Sequence, residues 1–482
     1  MKRRVLGMGR YMEQMHPRDT VFLYVEKEQA KQATMTAYAF VAERDSDRHP
    51  DPAEITRWIA DRAGGMEILR QRVVRVPLDL DHPYWAEDPE FSVDNHLAFH
   101  TAERWEDVRT LLADLLQSPM DESRPPWELH VISGVRGIDG IAGEATVAAL
   151  KLHHAAADGM LSAAIARRLF AAEPDEQDEM VEVVDPAAPP SQVGMLARAL
   201  GSTPRNLGRL AQELLRARSA QRALQLGSDL GLYRTPTAVR PRTTLNQPLG
   251  PDRVFNTAIL PLGGLRAMKA RLGEVTVNDL VLAVIGRAMR NYLHASGEVP
   301  AGSLGAGVPM STRSTVEATS RNRFVTMYVD LHTETEDPVE RVREIHDSVL
   351  EERVRTTTPA SLTLDELPGA VPGALLRAGL AVLGALPKPE SSTVSLGNAL
   401  VSNVPKGPAD MKLGDATVVA SFGLCPLSGL AGLAHRVDSV GDVLTINVTA
   451  DPLQLPDDDR YVEMLHESYD ELESAIMSGA TV

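Results

Sequence analysis

The residues with the most chemical potential are two adjacent histidines followed by an acid and a glycine, His153-His154-Ala155-Ala156-Ala157-Asp158-Gly159. An imidazole titrates near neutrality, so a histidine held in a crevice can take a proton from a hydroxyl while that oxygen attacks an acyl carbonyl. Such a transfer needs no nucleophile on the protein. Two other readings of the same residues stay open. Asp158 suits a helix N-cap, and Gly159 would permit the turn that a cap requires. His153, His154 and Asp158 are all possible metal ligands, although adjacent strand residues point to opposite faces and share one ion poorly. Thirteen histidines in 482 residues produce an adjacent pair by chance roughly 0.3 times, so spacing alone does not choose between base, structural residue and ligand.

Other routes to group transfer are missing. The chain holds no Gly-x-Ser-x-Gly elbow, no P-loop and no Gly-x-Gly-x-x-Gly fingerprint after a strand. Its one cysteine, Cys425, can form no intrachain disulfide, and the paired-cysteine spacings of zinc sites are absent. The expectation is a protein of the reducing cytoplasm with no metal and no resident cofactor.

The elements that must position the histidines are legible upstream of them. Trp127 to Val135 and Ala145 to Leu152 read as strands, separated by the glycine-rich turn RGIDGIAGE. Regular alternation would place Trp127, Leu129, Val131, Ser133 and Val135 on one face, and the second run is almost continuously apolar, as in a strand covered on both sides. The histidines then sit at the end of a buried hairpin, where catalytic groups gather. The helix that follows presents Leu161, Ala164, Ile165 and Leu169 as its apolar face.

From Glu173 onward the chain becomes rich in acid and proline and reads as a linker. Val193 to Leu232 alternates leucine and alanine with arginine at helical spacing, predicting one or two amphipathic helices that pack as a crossover or face anionic lipid. Further on, a helix is expected from about Asn278 to Leu293, a half-buried strand at Val443 to Ala450 and a final helix near Tyr461 to Ile476. The resulting division is a first half at 1–172, a linker at 173–240 and a second half at 241–482. Both halves are α+β with mixed sheets, and the crevice between them is the expected site.

At 482 residues and roughly 150 per domain, two to three globular units fit. Hydrophobic residues make up 43% and charged residues 24%, which excludes disordered, collagen-like and coiled-coil classes. The net charge is −17, and even thirteen protonated histidines leave −4, so nucleic acid is not expected as a partner. The basic start MKRR is interrupted by Tyr11, Glu13 and Gln14 before any apolar run of a signal peptide develops. Gly373 to Leu386, the most membrane-like stretch, carries Arg377 and is shorter than the about 20 apolar residues of a span.

The histidine segment fits HHxxxDG, the signature of the CoA-dependent acyltransferase superfamily, and other segments narrow the resemblance. Pro83 to Leu97 (PYWAEDPEFSVDNHL) and Asp121 to Ile132 (DESRPPWELHVI) look like the tryptophan-bearing segments of the bacterial wax ester synthase/diacylglycerol acyltransferase family. VNDLVLAVIGRAMRNYL (Val277 to Leu293) resembles its Asn-Asp helix. VPMSTR (Val308 to Arg313), RNRF (Arg321 to Phe324) and VSNVP (Val401 to Pro405) follow in the family's order.

That resemblance implies two chloramphenicol-acetyltransferase-like α/β halves around one tunnel. It makes His154 the base that deprotonates the acceptor alcohol, with His153 supporting it, Asp158 an organiser paired with an arginine such as Arg313, and Gly159 room for the acyl thioester. Asn278 and Asp279 would offer a helix N-terminus to an oxyanion, or Asn278 would cap that helix. Ser402 and Asn403 would hydrogen-bond near the donor channel or pin a crossover, and Pro126 and Trp127 would shape the core beneath the site. The implied substrates are long-chain acyl-CoA with diacylglycerol or a long-chain alcohol, giving triacylglycerol or wax ester and CoA at a membrane or lipid-body surface. The sequence departs from the family at Pro126, at Arg321 where glycine is common and at Lys406, which bears on substrate preference. Transfer to another hydroxyl, as in polyketide-associated enzymes, and lipid binding without turnover are the alternatives.

Overall fold

The computed structural model describes residues 13–42, 51–173, 191–233, 240–313, 320–385, 393–394, 397–427, 429 and 431–478. Most of the acidic linker, 174–190, lies outside the described residues.

Two six-stranded mixed sheets carry the two halves. The first contains β1 (Ala33–Val41), β2 (Leu97–Thr101), β3 (Trp127–Val135) and β4 (Ala145–His153). The second begins with β5 (Val254–Pro261), β6 (Gly305–Ser311), β7 (Phe324–Asp330) and β8 (Ala399–Gly407). The chain then crosses to the first sheet, where β9 (Lys412–Leu413) precedes β10 (Ala416–Leu424), and returns as β11 (Leu433–Val440) and β12 (Val443–Ala450). The spatial orders are β9-β10-β1-β4-β3-β2 and β7-β6-β8-β11-β12-β5. The halves are therefore not contiguous at 1–172 and 241–482, because β10 pairs antiparallel with β1 and completes the first sheet. The reason is apolar: Ala420, Phe422 and Leu424 of β10 are buried with Met35 and Ala37 of β1.

The β3–β4 hairpin is antiparallel, and every residue of β4 is buried. Its register slips between Ile132 and Val135, where Gly134 takes a φ of 88°. This bulge corrects the expected alternation. Trp127, Leu129 and Val131 pack in one core, whereas Val135 joins Ile132 in the core on the other face.

A cluster of charges ties the sheets together. Arg436 on β11 donates from Nη1 to Thr34 Oγ1 (3.0 Å) and Met35 O (3.2 Å) of β1, and from Nη2 to Thr36 Oγ1 (2.6 Å). Its Nε donates to Asp438 Oδ1 at 3.2 Å, and Lys406 Nζ lies 3.3 Å from the same oxygen. All three charged groups are buried. Lys406 sits where the register of β8 shifts between Pro405 and Gly407, and its side chain faces inward on the same side as Val404.

Among the helices, α1 (Pro17–Val25) and α2 (Gly159–Leu169) flank the histidine segment. The arginine- and leucine-rich stretch forms one helix, α3 (Gln192–Asp229), with Pro204 inside it. Its Met195 and Ala199 are buried against Val76 and Tyr84, whereas Val193, Leu200, Leu207 and Leu214, spaced seven apart, are exposed. The second half adds α4 (Val277–Ala295), α5 (Gly373–Ala385) and α6 (Asp458–Met477). No helix among the described residues is long and apolar enough to cross a membrane.

Candidate active site

Strand β4 ends at His153, and the chain turns through Ala155–Ala157 into α2. His153 and His154 point to opposite sides, as strand geometry requires. His153 lines a cavity of about 570 Å³ with Leu23, Lys31 and Pro126. Its Nδ1 accepts from Ala155 N (3.1 Å), so its Nε2 carries the hydrogen donated to Glu26 Oε2 at 3.0 Å. Burial would raise the Glu26 carboxyl, but the hydrogen bonds from His153 and the Gln32 amide, with Lys31 nearby, outweigh it and hold the group at about 2. His153 thus braces the strand end against α1.

His154 opens onto a second cavity, of about 220 Å³, lined by residues of both halves: Phe22, Thr34, Met160, Pro309, Phe324, Leu400 and Val404 among them. Phe22 stacks on the imidazole with ring centroids 4.2 Å apart, and Phe324 meets it edge-on at 6.1 Å. His154 Nδ1 is 2.8 Å from Asn322 Oδ1. The Asn322 amide can be oriented only one way, because its Nδ2 donates both to His154 O (2.8 Å) and to Asp19 Oδ1 (2.9 Å). Asn322 Oδ1 is therefore an acceptor, the hydrogen of the neutral ring is on Nδ1, and Nε2 carries the lone pair. Burial lowers the pKa of His154, with the Asn322 hydrogen bond and the Asp158 charge opposing it.

Asp158 borders the same cavity, and both of its carboxylate oxygens are hydrogen-bonded within the protein. Its Oδ1 caps α2 by accepting from Leu161 N (2.9 Å), and its Oδ2 accepts from Arg313 Nη2 (2.6 Å) and Arg323 N (2.9 Å). One carboxylate thus joins the first half's helix to the segment between β6 and β7. Gly159 lines the same cavity as His154, and a Cβ there would lie 2.8 Å from Val404 Cγ2 on β8. The glycine lets α2 approach the crossover strand.

Ser402 and Asn403, also on β8, line the His154 cavity. Asn278 and Asp279 do not. The N-cap of α4 is Thr276, not Asn278, and Asp279 closes a capping box, accepting from Thr276 N at 2.7 Å. Asp279 is buried and its Oδ2 also meets His346 Nδ1 at 2.8 Å, so the expected substrate contact through Asp279 is corrected to a helix cap. Asn278 Oδ1 accepts from Asn403 Nδ2 at 3.5 Å and so reaches the cavity only through that residue. Trp127 is buried, stacked on His96 at 4.3 Å and donating to Leu69 O at 2.8 Å, and Pro126 O accepts from His153 N.

None of the three departures lines the His154 cavity. Pro126 borders the His153 side, Arg321 lies 3.8 Å over the Trp85 ring, and Lys406 is in the charged seam. Asp19, Phe22, Glu26 and Asn322 are the site residues that spacing did not single out. Asn322 lay inside the RNRF segment, but Asp19 and Phe22 of α1 and Glu26 just after it reach the site only through tertiary packing.

The fold is that of two-halved acyltransferases. It matches the wax ester synthase/diacylglycerol acyltransferase from Marinobacter aquaeolei VT8 with a TM-score of 0.66 at 22% identity, covering 96% of this chain and 100% of that one. It matches the trichothecene 15-O-acetyltransferase TRI3 from Fusarium sporotrichioides with a TM-score of 0.56 at 14% identity over 98% and 97% of the two chains. The family model for the wax ester synthase/diacylglycerol acyltransferase catalytic domain matches residues 15–281, and that for the family's C-terminal domain matches 321–473. Two Mycobacterium tuberculosis H37Rv relatives, provisionally named diacylglycerol O-acyltransferases, are similar over most of their length. One is 28% identical over 98% of this chain and 99% of its own, the other 30% identical over 91% of each. The chain belongs to the wax ester synthase/diacylglycerol acyltransferase family and is an acyl-CoA-dependent acyltransferase of that type.

Proposed function

We propose that this acyltransferase moves a long-chain acyl group from CoA to diacylglycerol, and also to long-chain alcohols, with His154 as general base. The observation that carries the reading is the imidazole whose Nδ1–H is held by Asn322 while Nε2 is left basic in an apolar cavity between the halves. Nε2 takes the hydroxyl proton as the alcohol oxygen attacks the thioester carbonyl. The tetrahedral intermediate collapses, the C–S bond breaks, and the CoA sulfur leaves with the proton returned from the imidazolium. Ser402 and Asn403 on the cavity wall supply hydrogen-bond donors for the oxyanion, and Asn278 steadies Asn403. His153, Asp158 and Arg313 position the base rather than touch substrate.

Lipid substrates call for a protein that works at their surface. Exposed Leu200, Leu207 and Leu214 on α3 and Leu375, Val382 and Leu383 on α5, beside the six arginines of α3, support peripheral attachment to anionic membranes or lipid bodies on the cytoplasmic side. The His154 cavity also shares Arg323 with a larger one, about 600 Å³, bordered by Arg209 and Arg216 of α3.

The test is CoA release from palmitoyl-CoA with dioleoylglycerol or hexadecanol, with products separated, for the wild type and His154→Ala. Acceptor-dependent release that disappears in the variant is the expected result. A folded wild type stimulated by neither acceptor rules out these substrates.

A further inference from the structure

We infer that Asp19 and Asn322 form a positioning pair that sets the tautomer of His154 and stabilises its protonated form during turnover. The inference rests on His154 being the base. Asp19 is 1% exposed, and its carboxylate is held by donors from one short segment of the other half. Oδ1 accepts from Ser320 Oγ (2.8 Å), Asn322 N (3.0 Å) and Asn322 Nδ2 (2.9 Å), and Oδ2 accepts from Arg321 N (3.0 Å). Asn322 is itself 2% exposed. The pair therefore belongs to the seam and not to the substrate space.

A neutral imidazole has two tautomers, and only the one with hydrogen on Nδ1 can accept a proton at Nε2. Asn322 Oδ1 selects that tautomer. When Nε2 gains its proton, the new charge is carried partly on the Nδ1–H already directed at an amide oxygen, and the amide is polarised from behind by the Asp19 carboxylate. An amide in this place does what a carboxylate would do more strongly, so orientation is retained without a full ion pair that would keep the base protonated at neutral pH. His154 O is the other acceptor within reach of its own ring and favours the same tautomer; it also accepts from Asn322 Nδ2 at 2.8 Å, so Asn322 holds both acceptors in place.

The experiment compares wild type, Asn322→Leu, Asn322→Ala, His154→Ala and the His154→Ala/Asn322→Leu double variant by steady-state kinetics with palmitoyl-CoA and the acceptor. Nitrogen NMR of ¹⁵N-histidine-labelled protein reads the tautomer. Both Asn322 variants are expected to lose about a hundredfold in kcat with KM within threefold. Their His154 Nδ1 resonance should move toward the unprotonated position, and the double variant should be no slower than His154→Ala. If Asn322→Leu keeps wild-type kcat and the Nδ1–H tautomer while His154→Ala is inactive, the ring's own carbonyl suffices and the pair has no such role. If His154→Ala itself keeps full turnover, the base assignment fails and takes this inference with it.

Discussion

Replacing Gly159 by alanine separates two explanations of this glycine. A Cβ at 159 would lie 2.8 Å from Val404 Cγ2, with Cγ1 at 3.7 Å and Cβ at 3.9 Å. Ordinary methyl contact is close to 4 Å, so the first approach is about 1 Å too short. Overpacking of that kind costs about 1–3 kcal/mol. Loss of glycine's freedom in the unfolded chain returns about 0.4–1 kcal/mol, which leaves a net destabilisation on the order of 1–2 kcal/mol. In a Val404→Ala background both Cγ atoms are gone and the nearest remaining atom sits at 3.9 Å, so Gly159→Ala should then cost nothing. Urea unfolding of the four proteins of this cycle, with KM for acyl-CoA measured on each, gives the coupling. Equal destabilisation in both backgrounds, joined to a raised KM in both, would refute the packing argument and restore a glycine kept open for the thioester.

Three further outcomes follow from the same geometry. Because burial lowers the His154 pKa, the base is neutral and active through neutral pH, and kcat/KM should fall only below the ordinary histidine range; an acid limb centred above pH 6.5 contradicts this. Burial, aided by Arg436 and opposed by Asp438, pushes the Lys406 ammonium down to about 7. The unfolded chain then binds the extra proton between pH 7 and roughly 10.5, and wild-type stability should rise with pH across that window. In Lys406→Met that rise should vanish in urea titrations at pH 7 and 9, and identical slopes would count against it. Leu200→Ser/Leu207→Ser/Leu214→Ser should cut sedimentation with anionic liposomes about tenfold or more while CoA release from a detergent-dispersed acceptor stays within threefold; unchanged sedimentation removes α3 as the anchor.

Local pattern carried much of the architecture. The β3–β4 hairpin, α4, β12 and α6 lie close to where periodicity put them, because each buries an apolar face whose period is written in consecutive residues. The bulge at Gly134 was not legible, since glycine serves turn, bulge and strand alike until the partner strand sets the register. The return of β10 to the first sheet was equally invisible, because a strand's sequence states its burial but not its neighbour.

The same division holds at the site. By itself the sequence determined a histidine-bearing turn at a strand end, an acid able to cap the next helix, an acidic composition and a family-specific order of motifs. Which imidazole nitrogen is basic, what Asp158 binds, why Gly159 must be small and where Lys406 goes were decided only by tertiary structure. The physical reason is that each depends on partners distant in the chain: Arg313 for Asp158, Asn322 for His154 and Val404 for Gly159 lie 155 to 245 residues away, and Asp438 for Lys406 lies on another strand. Hydrogen bonds and steric contacts act within a few ångströms, and only the packing of one half against the other brings those residues into range.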